Sequence, residues 1–413
     1  MYITRAIEKT ILNISQTFPV LLVTGPRQVG KTTLLKHLAT EDRNYVTLDD
    51  PMVRQLAKND PSLFLQRYGT PLLIDEIQYA PEILPYIKIH VDESGRKGDF
   101  WLTGSQMFHM MQHVSESLAG RVGIVNLLGF SSREIQGIPS EPFSVDSTTL
   151  RAQISQSRRM SLMEIYQRIF IGGMPALHTI AEMNQETFFA SYVGTYLQRD
   201  IRGLTQIADE MKFLTFMTAV AARTAKPVIY EEIARDVGIS SPTVKHWLSI
   251  LVSSHIVALV QPYANNMLKR VVKNPLLHFL DTGLCAYLLK WSSAETLERG
   301  IMSGPFFESW VFSEIYKSYL NDGKKPPIFY YRDRDQKEID LLIEQNGKLH
   351  PIEIKKSTNP SKQAMRHFSV LNLATKSGQG LNNIEIGEGA VICLIEDLLP
   401  IDTRNWYVPA WLI

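Results

Sequence analysis

Val20-Leu21-Leu22-Val23-Thr24-Gly25-Pro26-Arg27-Gln28-Val29-Gly30-Lys31-Thr32-Thr33 is the stretch on which the fold turns. The apolar run from Pro19 to Thr24 predicts a buried strand, and the residues from about Lys31 to Ala39 predict a helix. Between them the spacing fits G-x-x-x-x-G-K-[ST], in the strand–loop–helix setting that the pattern requires. Gly25 and Gly30 let the loop, Pro26, Arg27, Gln28 and Val29 included, turn around an anion with its backbone N–H groups inward (Pro26 has none to give), and the start of the helix adds partial positive charge. Lys31 is placed to reach the β- and γ-phosphates of a nucleoside triphosphate, the Thr32 hydroxyl to hold Mg²⁺, and Thr33 to close the loop.

Working outward, Pro71-Leu72-Leu73-Ile74-Asp75-Glu76 reads as a strand ending in two carboxylates. Asp75 would sit beside the magnesium, and Glu76 would orient or deprotonate the attacking water. Trp101-Leu102-Thr103-Gly104-Ser105 ends a further strand in hydroxyls, so Thr103 or Ser105 could sense a γ-phosphate; a plain turn is nearly as good a reading. Phosphoryl transfer also gains from an arginine, often from a neighbouring subunit. Arg121 is the first choice and Arg199 the second, and an arginine acting in trans would require a homo-oligomer.

Strands at Pro19 to Thr24, Asn44 to Leu48, Pro71 to Ile74 and Asp99 to Leu102 alternate with helix-length segments. That order predicts an α/β unit, a parallel sheet with helices on both faces, over 1–136. A Pro-, Ser- and Thr-rich connection runs from Gly137 to Thr149, then a helical lid or linker over 150–205, a helix-turn-helix unit over 206–275 and an α/β unit over 276–413. With 413 residues the chain is long enough for several cores. Hydrophobic residues at 45% and charged residues at 21% exclude a largely disordered chain, and a formal net charge of +1 argues neither for nor against nucleic acid. Cys285 and Cys393 lie far apart in apolar runs and read as core residues. The N-terminus lacks a signal-peptide pattern and no apolar stretch reaches the roughly 20 residues of a bilayer span, so a cytoplasmic protein without membrane contact is expected.

In the middle, the residues from Tyr230 to Val237, the turn Gly238-Ile239-Ser240 and the helix opening Ser241-Pro242-Thr243 form a helix-turn-helix pattern. Ile233, Ala234, Val237, Ile239, Val244, Leu248 and Leu251 form its expected core. A strand from Ile256 to Pro262, a turn at Asn265-Asn266 and a return at Lys269 to Lys273 would supply a wing. Thr243, Lys245 and His246 would face a major groove of double-stranded DNA, with Lys269, Arg270 and Lys273 on the wing. A protein partner fits such a module equally well.

The last unit opens with a helix, Phe306 to Tyr319, carrying Glu308, followed by strands at Ile328 to Arg332, Glu338 to Glu344 and His350 to Ile354. Alternation points Glu353 and Lys355 to one side of the third strand, with Asp340 on the second. Asp340 and Glu353 could bind a divalent cation, Lys355 could steady a hydroxide or a transition state, and a following helix brings Gln363. The plainer alternative is an ion pair on a polar strand face.

With these residues in view, the chain resembles a prokaryotic family of AAA-type P-loop ATPases that carry a C-terminal domain of unknown function. The stretches that carry the resemblance are Gly25 to Thr33, Leu72 to Gln78, Leu102 to Ser105, Ser117 to Arg121, Gly172-Gly173-Met174-Pro175, Tyr196 to Ile201, Lys273 to Leu289, Tyr331 to Ile343 and Ile352 to Lys355. The resemblance implies an ATPase core using ATP and Mg²⁺, a helical and winged-helix middle, and a restriction-endonuclease-like domain similar to PD-(D/E)xK nucleases, in which Asp340 comes after isoleucine rather than proline. Three functions are expected in turn: ATP hydrolysis coupled to rearrangement of DNA-binding or nuclease-like modules, a nucleotide-dependent switch for a protein partner with an inert last domain, or an ATP-dependent DNA endonuclease.

Overall fold

A computed structural model describes residues 2–105, 114, 116–196, 210–263, 274–333, 335–371 and 385–413. The first unit is a parallel sheet of β1 (Val20–Thr24), β2 (Asn44–Thr47), β3 (Leu72–Asp75), β4 (Phe100–Gly104) and β5 (Val122–Asn126), in the spatial order β5-β1-β4-β3-β2. Strand alternation sorts its residues into two cores. Val20, Leu22, Leu72, Ile74, Phe100 and Leu102 pack with Ala57, Phe64, Leu84 and Ile87 from the helices Pro51–Asn59, Pro61–Tyr68 and Leu84–Ser94. Leu21, Val23, Leu73, Trp101 and Val125 face Ile11, Leu34 and Leu35 from the helices Glu8–Thr17 and Lys31–Leu38. Covering both faces is why β1 and β3 are buried throughout and apolar up to their last residues, Thr24 and Asp75, where the polar chemistry begins. The strand β5 and its register beside β1 had no place in the sequence reading.

The middle of the chain is helical, with Ser147–Ile154, Leu162–Ile171, Gln185–Tyr196, Glu210–Ala221, Tyr230–Val237 and Ser241–Ser253 as its main helices. Ser240 caps the last of these by accepting from Thr243 N at 3.2 Å, and Gly238 takes the left-handed step (φ 71°) that the turn needs. Ile233, Ala234, Val237, Val244, Leu248 and Leu251 are buried and Ile239 packs against them, as the pattern required; Trp247 joins them. The small sheet beside these helices comprises β6 (Lys226–Pro227), β7 (Val257–Val260) and β8 (Leu276–Phe279), in the order β6-β8-β7. Thus the strand pairing with β7 is Leu276–Phe279. Lys269, Arg270 and Lys273, placed on a wing by the sequence, lie outside the described residues. The boundary expected at 275/276 falls directly before a strand of the middle sheet, and β8 belongs with the middle unit rather than with the last one.

The last unit joins the long helix Ser303–Asn321 to a seven-stranded sheet. Its strands β9 (Ile328–Arg332), β10 (Glu338–Gln345) and β11 (Lys348–Lys355) form an antiparallel meander, and β13 (Gly389–Cys393) and β15 (Asn405–Pro409) extend it in parallel from β11. Short strands β12 (Glu385–Ile386) and β14 (Leu399–Pro400) complete it.

The 303–321 helix runs through the centre of the molecule. Glu314 accepts from Ser132 N at 2.7 Å, Lys317 donates to Phe130 O at 3.0 Å, and the two side chains pair with each other at 2.9 Å while buried. Tyr319 donates to Phe143 O and Ser313 to Leu280 O, so one helix is bonded to the sheet unit, the connection and the middle. Cys285 and Cys393 are buried and free. Among the described residues no helix is long and apolar enough to cross a membrane.

Candidate functional site

The loop after β1 has the shape its glycines dictate. Gly25 has φ 142°, and a Cβ there would stand 1.9 Å from Leu127 O, the carbonyl of a residue whose N–H bonds to Thr24 O. Gly30 takes φ 91° and leads straight into the 31–38 helix, while Gln28 also adopts a left-handed conformation. Only a glycine fits at 25, and at 30 the backbone rather than crowding is the reason. Lys31 is buried and donates to the carbonyls of Gly25 at 3.0 Å and Pro26 at 2.8 Å, so its ammonium is held inside the loop it would use to grip an anion.

Across from this loop, the end of β3 delivers Asp75. Its Oδ1 accepts from Thr32 Oγ1 at 2.7 Å and from Thr103 Oγ1 at 2.5 Å, and its Oδ2 from the Tyr45 hydroxyl at 3.3 Å. Burial, followed by the charge of Asp75, pushes the Tyr45 phenol up to about 12. Three strands and one helix therefore converge on one carboxylate. Glu76 adopts a left-handed backbone (φ 58°), its N–H donates to Thr103 Oγ1 at 3.0 Å, and its carboxylate meets Gln78 and Ser105, the latter at 3.4 Å. Thr103 thus holds the carboxylate strand in place, and Ser105 is engaged with Glu76. Tyr45 and Gln78 were missed by sequence reasoning, Tyr45 because its role depends on β2 lying beside β3.

A further missed residue is Arg5, which is buried and donates to Val29 O at 2.9 Å, to Leu128 O at 2.7 Å and to Glu134 at 2.9 Å. It ties the P-loop to the chain's start and to the 132–136 helix. Burial works against the Glu134 carboxylate, but the Arg5 guanidinium and the backbone N–H groups of Ser131 and Ala6 hold its pKa low.

Arg121 is placed elsewhere than a finger in its own chain requires. It precedes β5, its carbonyl accepts from Val20 N, and its guanidinium makes a two-point pair with Asp92. Since β1 and β5 are parallel and in step, Arg121 lies at the sheet edge opposite the P-loop. Five strand residues separate the two ends, roughly 15 Å at about 3.3 Å per residue. Arg199, the second choice, lies outside the described residues.

In the last unit the three expected residues do meet. Lys355 Nζ stands 2.6 Å from Glu353 Oε1 and 3.8 Å from Asp340 Oδ2. Asp340 Oδ2 accepts from Ile354 N at 2.7 Å, and Glu353 Oε2 is buried without a hydrogen-bond partner among the described residues. Burial, followed by the neighbouring Asp340 charge, pushes Glu353 up to about 7; burial likewise raises Asp340. Burial disfavours the Lys355 ammonium, but the two carboxylates outweigh it and raise its pKa. Glu308, on the 303–321 helix, is raised well above the usual carboxylate range, by burial first and then by Asp340. Gln363 is exposed on a single 3₁₀ turn, Lys362–Met365, so the expected helix there is one turn among the described residues. Among the described residues no group of three or more His, Cys, Asp or Glu side chains is arranged to hold a metal ion.

On the middle unit, Lys245 and His246 are exposed near the start of the 241–253 helix, and Thr243 is half-buried with its hydroxyl at Ser240.

Three family matches tile the chain. Residues 17–136 match the family described as "AAA domain", residues 163–295 a "Domain of unknown function (DUF8612)" and residues 303–413 a "Domain of unknown function (DUF4143)". The uncharacterized protein Rv2008c of Mycobacterium tuberculosis is 28% identical over 346 residues, covering 83% of this chain and 71% of its own length. The uncharacterized protein Mb2031c of Mycobacterium bovis matches to the same extent. Among solved structures, AMPPCP-bound DnaA from Aquifex aeolicus is 14% identical with a TM-score of 0.28, covering 59% of this chain and 84% of that one. A RuvB variant from Thermotoga maritima is 19% identical with a TM-score of 0.28, covering 61% and 85%. Superpositions that slight carry no structural argument. The sheet unit at the start of the chain is similar to AAA domains, and the unit at its end to the DUF4143 domain.

Proposed function

We propose that the chain binds ATP with Mg²⁺ and hydrolyses it, and that hydrolysis rearranges the middle and last units. The observation that carries this reading is the convergence of Thr32, Thr103 and Tyr45 on Asp75 opposite the lysine-bearing loop. The donor set fits magnesium: a hydroxyl and a carboxylate, both hard oxygens, 2.7 Å apart at the mouth of the loop. Thr32 and Asp75 would hold the ion, which when bound supplies charge neutralisation for the phosphate oxygens. The residues do the rest. The loop from Arg27 to Thr33 presents backbone N–H groups, and Lys31 exchanges its bonds to Gly25 O and Pro26 O for phosphate oxygens. Glu76 lies one residue past Asp75, where it orients or deprotonates the water. The test is ATP turnover and binding by the wild type, Lys31→Ala and Glu76→Gln. The reading expects near-loss of hydrolysis in both variants with binding retained in Glu76→Gln; wild-type turnover in both sinks it.

The direct target of the rearrangement is read as double-stranded DNA through the 241–253 helix, with Lys245 and His246 outward. A protein partner is the alternative, and DNA-stimulated turnover separates the two. A second reading, ATP-dependent DNA cleavage, is favoured by one observation: Asp340, Glu353 and Lys355 meet on a mixed sheet, with one Glu353 oxygen unpartnered. Two carboxylates would hold the divalent ion there, and Lys355 would steady the attacking hydroxide. Supercoiled plasmid incubated with protein, ATP and Mg²⁺ or Mn²⁺, beside the Glu353→Ala, Lys355→Ala double variant, decides this. Nicking by the wild type alone supports cleavage, and intact plasmid throughout removes it.

A further inference from the structure

The 241–253 helix ends in a turn whose left-handed position is usually held by glycine. Ile256 N returns to Leu251 O at 2.9 Å and His255 N to Val252 O at 3.0 Å, the paired bonds of a Schellman ending. The residue that takes the left-handed step is His255, with φ 54°. A side chain is strained there relative to glycine. The ring does not escape into solvent in compensation. Its Nδ1 is buried without a hydrogen-bond partner among the described residues, and it lines a cavity of about 10 Å³, room for one water. The opposite wall is Pro26 and Val29 of the P-loop with Leu128, Gly129 and Met174 beside them, and Ile256, Leu280, Asp281 and Leu284 close it on the middle unit's side. Burial first, and then the Lys31 charge, pull the imidazole down to about 4 against the Ser253 backbone, so the ring is neutral.

An imidazole with a buried nitrogen open to a cavity walled by the P-loop residues Pro26 and Val29 is matched to an anion held by that loop. We propose that His255 is a contact supplied by the middle unit to the phosphate end of a nucleotide held in the P-loop, given directly or through one water, so that the middle unit senses whether the site is filled. The proposal rests on the nucleotide reading of Gly25 to Thr33. A phosphate arriving there draws Lys31 off the Gly25 and Pro26 carbonyls, gives the imidazole an acceptor, and favours its charged, stronger-donating form. Hydrogen bonds to charged groups of this kind are worth about tenfold to a hundredfold in affinity.

The experiment uses the full chain with His255→Gly and His255→Asn. Glycine removes the ring and relieves the backbone, and asparagine tolerates the left-handed conformation. Affinity for a fluorescent ADP and for a non-hydrolysable ATP analogue is measured with Mg²⁺, together with thermal unfolding without nucleotide and amide exchange over residues 250–260. The expected result is a divergence. His255→Gly melts at or above the wild-type temperature, binds nucleotide at least tenfold more weakly, and loses the slowing of exchange that nucleotide causes in the wild type. Unchanged affinity in both variants overturns the proposal and leaves the P-loop reading intact. Affinity that falls only in step with thermal stability also overturns it, since the ring is then structural. A wild type that binds neither nucleotide overturns the P-loop reading and this one with it.

Discussion

Thr103 donates its hydroxyl proton to Asp75 Oδ1 at 2.5 Å while accepting the backbone N–H of Glu76 at 3.0 Å. One side chain on β4 therefore fixes both acidic residues that end β3, one through its carboxylate and the other through its backbone. Replacing it with valine keeps the shape and deletes both bonds. Thr103→Val is expected to cost about 1–3 kcal/mol of stability, as a buried pair of hydrogen bonds is lost. ATP turnover should fall at least tenfold with nucleotide affinity nearly unchanged, because the binding groups of the loop are untouched. Steady-state kinetics beside equilibrium binding reads the split; unchanged turnover would remove Thr103 from the positioning role.

Arg5 and Glu134 form a buried pair, with side chains only 3% and 2% exposed, so cutting one partner strands a charge. Arg5→Met is expected to cost about 3–5 kcal/mol in urea unfolding. The Glu134 carboxyl is held below its ordinary value in the folded chain, so its contribution is present above the unfolded carboxyl pKa and is lost as pH falls. Glu134→Gln should therefore flatten the acid limb of the stability profile. An acid limb identical to wild type would show that the pair does not set it.

Glu353 has the opposite sign. Its folded carboxyl is raised to about 7, above the unfolded value, so its stability contribution is full below the unfolded pKa and is lost as pH rises through about 7. Denaturation midpoints should decline from pH ~5 to ~7.5 more steeply in the wild type than in Glu353→Gln. If Asp340 and Glu353 bind a divalent cation, addition of Mg²⁺ or Mn²⁺ should release protons over the same window and restore stability at its upper end. Parallel profiles with and without metal would refute that site.

The Arg121 and Asp92 pair is exposed and sits at the sheet edge away from the P-loop. Arg121→Ala is expected to leave the melting temperature unchanged. If this arginine serves a neighbouring chain, wild-type turnover per chain will rise with protein concentration, and adding an excess of the Lys31→Ala variant, which supplies Arg121 and on the proposed function does not itself turn over, will partly restore activity to Arg121→Ala. Turnover proportional to protein, with no rescue, assigns Arg121 to its salt bridge alone.

Local chemistry made part of this molecule legible in its sequence. The loop from Gly25 to Thr32 is set by glycine conformation and by residues six apart, and the Glu353–Lys355 pair by simple alternation along a strand. Asp75 stands out because an apolar strand ends in charge. The features that stayed hidden depend on distant partners. Arg5 meets Glu134 across 129 residues, and nothing around either announces the other. The strand Leu276–Phe279 pairs with Val257–Val260 across a connection, and neither segment announces that register in its own sequence. Arg121 reads from its sequence neighbours as a finger, whereas its position is set by β5 running parallel to β1, which only the sheet reveals.

The 303–321 helix also bears on how such a protein can be altered by recombination. Its Glu314 and Lys317 complete the hydrogen bonds of Ser132 N and Phe130 O, so the last unit finishes the first one's backbone. A gene cut near residue 300 would leave Ser132 N and Phe130 O of the first unit without these partners, and a tail borrowed from a relative would have to bring a matching acid and base at those two positions. A chimera that lacks this acid and base is therefore expected to be less stable than one that keeps them.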